Sequence, residues 1–382
     1  MVAALECASG LPYGVVSELT PVWLRVHGTD LAALGAMTLV GLPWTLKPLW
    51  APFVDRYGTF NTWMMTGLAG AMACTALLPQ AGTDLDLLVP LLAMVAIFSA
   101  TQDIAIDGWL VAAVPIADQG RATGIRVAAY RGAMAVAGGG IVVIGDQLGW
   151  RWAFVAAAAA MGLLLVVQAF VPRAPPVPSA SVEDWFATLR GWLVQPGALP
   201  LFAFALLYKL GDSAMGPMVK PYLLSAGLSP SEVGLLSTTV GAVLVGVGAV
   251  AGGDLISRIG LRNGVYALGG LQAISNLGYA TAATWGGRIP AYGASILESL
   301  TAGLGTAALL STTMRASGGA QAATRFAVLS ALVGLTRTLS GALSGVAVEH
   351  VGYASWFALT FVLAMPALAL VPRVTGRLEP AL

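Results

Sequence analysis

Polar breaks divide the chain into a succession of apolar runs, each about 20 residues or longer, the length a helix needs to cross the hydrocarbon core of a bilayer. The pattern predicts twelve helices, over residues 2–25, 31–53, 61–80, 86–113, 121–145, 150–172, 199–225, 231–254, 262–284, 289–314, 320–347 and 352–372. Long strands of alternating polarity separated by turns are absent, which argues against a membrane β-barrel. The first apolar run starts at once and is too long for the core of a cleaved leader, so no signal peptide is expected. The expectation is an all-α integral membrane protein.

Composition strengthens this picture. Of 382 residues, 57% are hydrophobic and only 10% charged, against about 25% charged in an ordinary soluble domain. Mean hydropathy is +0.81. So few charges cannot cover a water-facing surface, and the apolar surplus calls for membrane lipid as its partner. A formal net charge of +1 offers no field for nucleic acid. Cys7 and Cys74 sit inside apolar stretches, and His27 and His350 lie in short polar breaks. These exclude a disulfide framework, a zinc spacing and a haem or multi-histidine metal site, and no cofactor is expected.

Charge placement orients the helices. Arg56, Arg121, Arg173, Arg190, Arg258, Arg262, Arg315, Arg373 and Arg377 fall in breaks on one side or in the tail. The other side has Arg25, Arg151 and Arg288 among several acids. Cytoplasmic loops carry the excess of arginine and lysine, so both termini are expected inside. The long break at 173–198 holds Arg173-Ala-Pro-Pro-Val-Pro, where proline disfavours helix. Its Asp184–Trp192 stretch suits a short amphipathic helix on the inner membrane surface.

That break separates six helices from six, and the halves resemble each other. Asp55-Arg56-Tyr57-Gly58 follows the second helix, and Ser257-Arg258-Ile259-Gly260 follows the eighth, 202 residues later. Pro21-Val-Trp-Leu near the end of the first helix matches Pro221-Tyr-Leu-Leu near the end of the seventh, at an offset of 200. Two matches at nearly one offset imply a duplicated unit. Such a unit is the mark of a major-facilitator-type 6+6 bundle, with the solute path between its halves near the midplane. The expected domains are 1–172, a cytoplasmic linker 173–198 and 199–382, in a monomer.

The lysines are Lys47, Lys209 and Lys220, and none follows a glycine, so there is no Walker A loop. An ion or solute gradient is then the expected driving force. A charge inside the bilayer costs about 2.5–3.5 kcal/mol on insertion scales, so each is a functional candidate. Asp103 and Asp107 stand one turn apart on one face of the fourth helix. Mutual repulsion in a dry site suits one of them to carry a proton. Arg126 and Arg131 of the fifth helix lie at comparable depths, so a static ion-pair network is the competing reading. Lys209 and Asp212 can pair along the seventh helix, whereas Glu298 has no neighbour in sequence to neutralise it and is the better proton carrier. Lys47 suits either an anionic solute or neutralisation of Asp55. Glu6 is expected near the membrane edge and solvated, with Glu18 a possible cavity acid. Tyr13 and Trp44 offer rings that can stack on a ring-bearing solute, and Gln102 and Tyr130 add polar groups beside the acids.

Several stretches carry a resemblance. They are Ala8-Ser-Gly-Leu-Pro12, Leu42-Pro-Trp-Thr-Leu-Lys47 continuing to Asp55-Arg56-Tyr57, Gln102-Asp103-Ile-Ala-Ile-Asp107-Gly-Trp109, Tyr130-Arg131, Leu207-Tyr208-Lys209-Leu-Gly-Asp212 and Phe326-Ala-Val-Leu-Ser-Ala331. In order and over nearly the whole chain, they resemble the AmpG-type permeases, in the peptide–acetyl-coenzyme A transporter branch of the major facilitators. The resemblance implies a proton-dependent importer in the bacterial inner membrane, with anhydro-muropeptide as the family's cargo. The chain departs from that family in lacking its additional hydrophobic segments and in carrying Arg126. The Leu-Pro-Trp-Thr-Leu-Lys run also resembles the siderophore transporters of the branch, so a siderophore-like solute is an alternative, as is a non-transporting sensor of the same fold. A membrane-embedded enzyme is disfavoured, because no catalytic or metal cluster is present.

Overall fold

In lipid no water is available to the backbone, and a helix satisfies its N–H and C=O groups within one segment. The computed structural model describes residues 1–113, 119–173, 190–191, 195, 198–316 and 322–378, and among them no strand occurs. The helices are α1 (2–26), α2 (31–56), α3 (Phe60–Ala81), α4 (Leu85–Ala113), α5 (119–148) and α6 (Trp150–Ala169). They continue with α7 (Ala198–Ser225), α8 (Pro230–Ile259), α9 (Leu261–Trp285), α10 (Arg288–Ala316), α11 (322–351) and α12 (353–378). Each matches one of the apolar runs. The amphipathic helix expected over Asp184–Trp192 lies outside the described residues, save Arg190 and Gly191, which are helical.

Seven helical stretches among the described residues are long and apolar enough to cross a membrane, one of them the joined pair α11–α12. Large apolar side chains stand exposed along these stretches, including Leu163 at 68%, Val250 at 76% and Leu343 at 69%. In water such a surface would be an aggregation liability; on membrane helices it meets lipid.

Several helices are not uniform. α2 passes through 3-10 turns at Met37–Gly41 and Lys47–Leu49. Pro43, Pro48 and Pro52 account for the irregularity, since proline has no backbone N–H to donate. π-helical turns occur at Val15–Leu19 in α1, Val136–Ile141 in α5 and Gly234–Val240 in α8. π turns of this kind often mark functional places in a helix.

The joints repeat. Positive-φ glycines close the turns at Gly28, Gly58, Gly82 and Gly149, and again at Gly227, Gly260, Gly286 and Gly352, at offsets of 199, 202, 204 and 203. The duplication suggested by two short sequence matches is therefore carried by the backbone at four joints.

The chain forms two compact units. The first comprises Met1–Thr29, Val40–Val182 and Ser229–Thr239; the second comprises Asp30–Leu39, Glu183–Leu228 and Val240–Leu382. In the first, α1 packs on α5 and α3 lies between α4 and α6, over a core that includes Leu5, Met64, Ile106 and Trp109. In the second, α10 packs on both α8 and α9, and the core gathers Phe204, Val265, Leu268, Ala308 and Val371. Each unit carries one cluster of buried charge.

Candidate functional site

The first cluster is built where four helices of the first unit converge. Gly10 lets α1 approach α5 closely, since a Cβ there would stand 2.6 Å from the Tyr130 carbonyl oxygen. This contact brings Glu6 and Ser9 of α1 toward α4 and α5. Arg126 of α5 donates from Nε to Glu6 Oε1 at 2.6 Å and from Nη2 to Asp107 Oδ1. Lys47, carried by the irregular stretch of α2, donates to Asp103 Oδ2 and, at 3.1 Å, to Asp107 Oδ2. Ser9 Oγ donates to Asp103 Oδ1 at 2.8 Å. Three acids thus face two bases in one connected network. Asp107 is its most open member, with 39% of its side chain exposed against 16% for Asp103 and 4% for Glu6.

The geometry corrects two expectations, for Glu6 and for Arg131. Glu6 is buried and ion-paired instead of solvated, because close packing of α1 on α5 excludes water and supplies Arg126. Lys47 pairs with Asp103 and Asp107 of α4, and the Asp55 side chain, its other expected partner, lies outside the described residues. Arg131 is exposed and joins neither acid; of the two arginines, Arg126 alone pairs with Asp107. Ser9 was not among the expected site residues. Its signal was the three-residue spacing from Glu6, which puts both on one face of α1.

Aromatic rings flank the network. Tyr13 meets Trp44 edge-on at 4.8 Å between centroids and Tyr130 at 5.9 Å. The Trp44 Nε1 donor is buried without a partner, an available group for a solute oxygen. Gln102 points elsewhere. It is fully buried against α3, where a Cβ on Gly67 would lie 2.8 Å from its Cβ, and its amide has no partner.

The second cluster is smaller. Lys209 and Asp212 pair at 3.0 Å along α7, as their three-residue spacing predicts, and Lys209 also donates to the Ala302 carbonyl at 3.4 Å. Gln272 of α9 donates to Asp212 across α10. It can do so because residue 305 is glycine; a Cβ there would occupy the place of the Gln272 side-chain oxygen. Glu298 of α10 lies within electrostatic reach of Asp212 and Lys209, and it is in no ion pair among the described residues. Gln272 was missed at the sequence level, although an amide inside an apolar helix is itself a signal. A separate cavity of about 390 Å³, lined by Leu206, Leu210, Leu335 and Trp356 among others, carries no charged group.

Among the described residues no group of histidine, cysteine or acidic side chains is placed to hold a metal ion. Buried charge inside a bundle that is helical throughout the described residues fits the class of membrane solute carriers. The chain belongs to the Major Facilitator Superfamily, whose family model matches residues 7–208. It is 31% identical over 381 residues to the anhydromuropeptide permease of Escherichia coli (strain K12), an alignment covering 96% of this chain and 77% of that one. Among solved structures, a bacterial homolog of the human lysosomal transporter Spinster, inward-facing and unoccupied, has a TM-score of 0.79 at 17% identity, covering 100% of this chain and 98% of the other. The D-xylose–proton symporter has a TM-score of 0.73 at 12% identity, covering 97% and 95%. At those identities the likeness is one of fold. The protein is an AmpG-like, multi-pass membrane transporter and not an enzyme.

Proposed function

We propose that this protein is a proton-coupled importer of anhydro-muropeptide, or a closely similar solute, across the bacterial inner membrane. In this reading it works as a monomer with twelve spans, both termini cytoplasmic, and the domains 1–172 and 199–382 rock about the solute, joined by 173–198. The observation that supports it best is the charge inventory of the first cluster. Glu6, Asp103 and Asp107 against Lys47 and Arg126 leave one negative charge when all are ionised. A surplus charge among apolar helices is costly, and one proton removes it. Asp107 is the acid most open to water and the natural point of entry. In the second cluster Asp212 and Glu298 against Lys209 repeat the same surplus, so Glu298 is the second candidate carrier.

The solute is assigned to the rings of Tyr13, Trp44 and Tyr130 and to the cations Lys47, Arg126, Arg131 and Lys209. Rings suit the sugar faces of a muropeptide, and cations suit its peptide carboxylates. The test is uptake by proteoliposomes of labelled anhydro-muropeptide, with a siderophore and a coenzyme A ester as competing arms. Accumulation of muropeptide driven by an imposed proton gradient and abolished by a protonophore is expected. Accumulation of only the siderophore would reassign the cargo. Binding without any flux would make the protein a sensor. Asp107→Asn and Glu298→Gln are each expected to abolish uphill accumulation while leaving downhill exchange; if both accumulate as the parent does, the proton carriers lie elsewhere.

A further inference from the structure

α11 is exposed on two sides. Leu339, Leu343 and Val346 form one apolar stripe, with Leu339 at 50% and Val346 at 44% exposure. Ser330 and Arg337 are exposed as well, seven residues apart and therefore on one side of the helix. At about 100° per residue, Arg337 lies roughly 120–180° around the helix from the apolar stripe. Packing holds the helix in this rotation. Thr336 is buried and donates to the Leu206 carbonyl of α7 at 2.9 Å. Gly341 is buried against α2, where a Cβ on it would stand 2.9 Å from the Thr38 methyl.

Depth decides what each side can face. Arg337 stands 15 residues from the start of α11 and 14 from its end. At 1.5 Å per residue that is about 21–22 Å from either end, near the middle of a hydrocarbon core roughly 30 Å thick. A charged side chain exposed at that depth is costly in lipid, and such residues face a bundle interior or a water-filled cavity. Lipid suits the side of Leu339, Leu343 and Val346. The side of Ser330 and Arg337 calls for water, and in a solute carrier water at mid-depth fills the solute path.

We propose that Arg337 is a solute contact of the second unit, offering its guanidinium to a carboxylate of the transported molecule. The inference rests on the transporter reading, but not on proton coupling. The cations of the two clusters already hold internal acids: Lys47 pairs with Asp103 and Asp107, Arg126 with Glu6 and Asp107, and Lys209 with Asp212. A solute carboxylate must compete with those acids to reach them. Arg337 presents a planar fork of N–H donors from an exposed position, which suits two parallel bonds to one carboxylate. Ser330, about two turns away on the same side, offers a hydroxyl to the same molecule.

The test uses the full chain with Cys7→Ser and Cys74→Ser, in proteoliposomes. With Ser330→Cys added, an anionic thiosulfonate is expected to react roughly threefold or more faster than a cationic one, each rate taken relative to a free thiol. Arg337→Gln should remove that preference, and Arg337→Lys should keep it. A preference that survives Arg337→Gln overturns the proposal. So does a thiol at position 330 that reacts no faster than one introduced by Leu343→Cys on the apolar side. In uptake of labelled anhydro-muropeptide, Arg337→Gln should raise the half-saturating concentration of the free-carboxylate form about tenfold and leave that of the fully amidated form unchanged. Equal changes for both forms would make the arginine a structural residue and end the carboxylate contact. If the parent takes up neither form, the muropeptide reading has failed, and the thiol reactions, which need no cargo, decide on Arg337.

Discussion

The two charge clusters solve one problem in opposite ways. In the first unit, five charged side chains from four helices interlock, and Asp107 is held by two cations at once. In the second, one cation serves Asp212 along its own helix while Glu298 stands apart, and a neutral amide completes the site. An interlocked charge is expensive to remove, because its partners remain buried and unbalanced. A locally paired charge can be lost with less damage. The first cluster is therefore the harder of the two to take apart.

The sharpest way to break this comparison is to remove the lysine from each. Lys47→Ala strands Asp103 and leaves Asp107 to Arg126 alone, and a loss of about 3–5 kcal/mol in stability is expected with transport abolished. Lys209→Ala leaves Asp212 with the Gln272 amide and should cost less than half as much, roughly 1–2 kcal/mol. Thermal unfolding of the two purified variants side by side measures the difference. Equal losses would mean that the extra links of the first cluster contribute nothing.

The next effect isolates one link. Arg126→Gln leaves Glu6 buried without its cation and is expected to cost about 3 kcal/mol. Adding Glu6→Gln should return most of that loss, giving a coupling energy of roughly 1–3 kcal/mol in a double-mutant cycle. Additive losses would show that Arg126 is held by Asp107 alone.

How much of this was legible in the sequence follows from what each feature depends on. The helices were, because lipid demands an apolar run of fixed length whatever the tertiary contacts. The Lys209–Asp212 pair was, because three residues along one helix fix its geometry. The Lys47–Asp103 pair was not, since it joins residues 56 apart through the way α2 packs on α4. Glu6 was misjudged for a similar reason. Its position near the membrane edge suggests water, but burial was decided by Gly10 and the approach of α5. Sequence spacing reports on one helix at a time, and networks between helices need the packing.

The second cluster has a smaller lever of its own. Gln272 reaches Asp212 only over the bare backbone of Gly305. Gly305→Ala should displace the amide, cost about 1–3 kcal/mol as overpacking does, and lower transport by roughly tenfold. Adding Gln272→Ala frees the space and should recover the stability but not the transport. Recovery of both would show that the amide has no part in holding Asp212.

The smallest expected effect concerns the residue that the structure moves out of the network. Gln102 neighbours Asp103 in sequence, yet it is fully buried on the α3 side, with both amide atoms unpartnered. A buried polar group without partners costs stability, and a similarly sized apolar side chain removes that cost. Gln102→Leu is therefore expected to leave uptake within about twofold of the parent and to raise stability by about 1 kcal/mol. The neighbouring Asp103→Asn, by contrast, should impair coupling. A transport loss beyond about tenfold in Gln102→Leu, with unfolding unchanged, would mean that the amide meets the solute at another stage of the cycle. The first cluster would then extend one residue further around α4 than its ion pairs define.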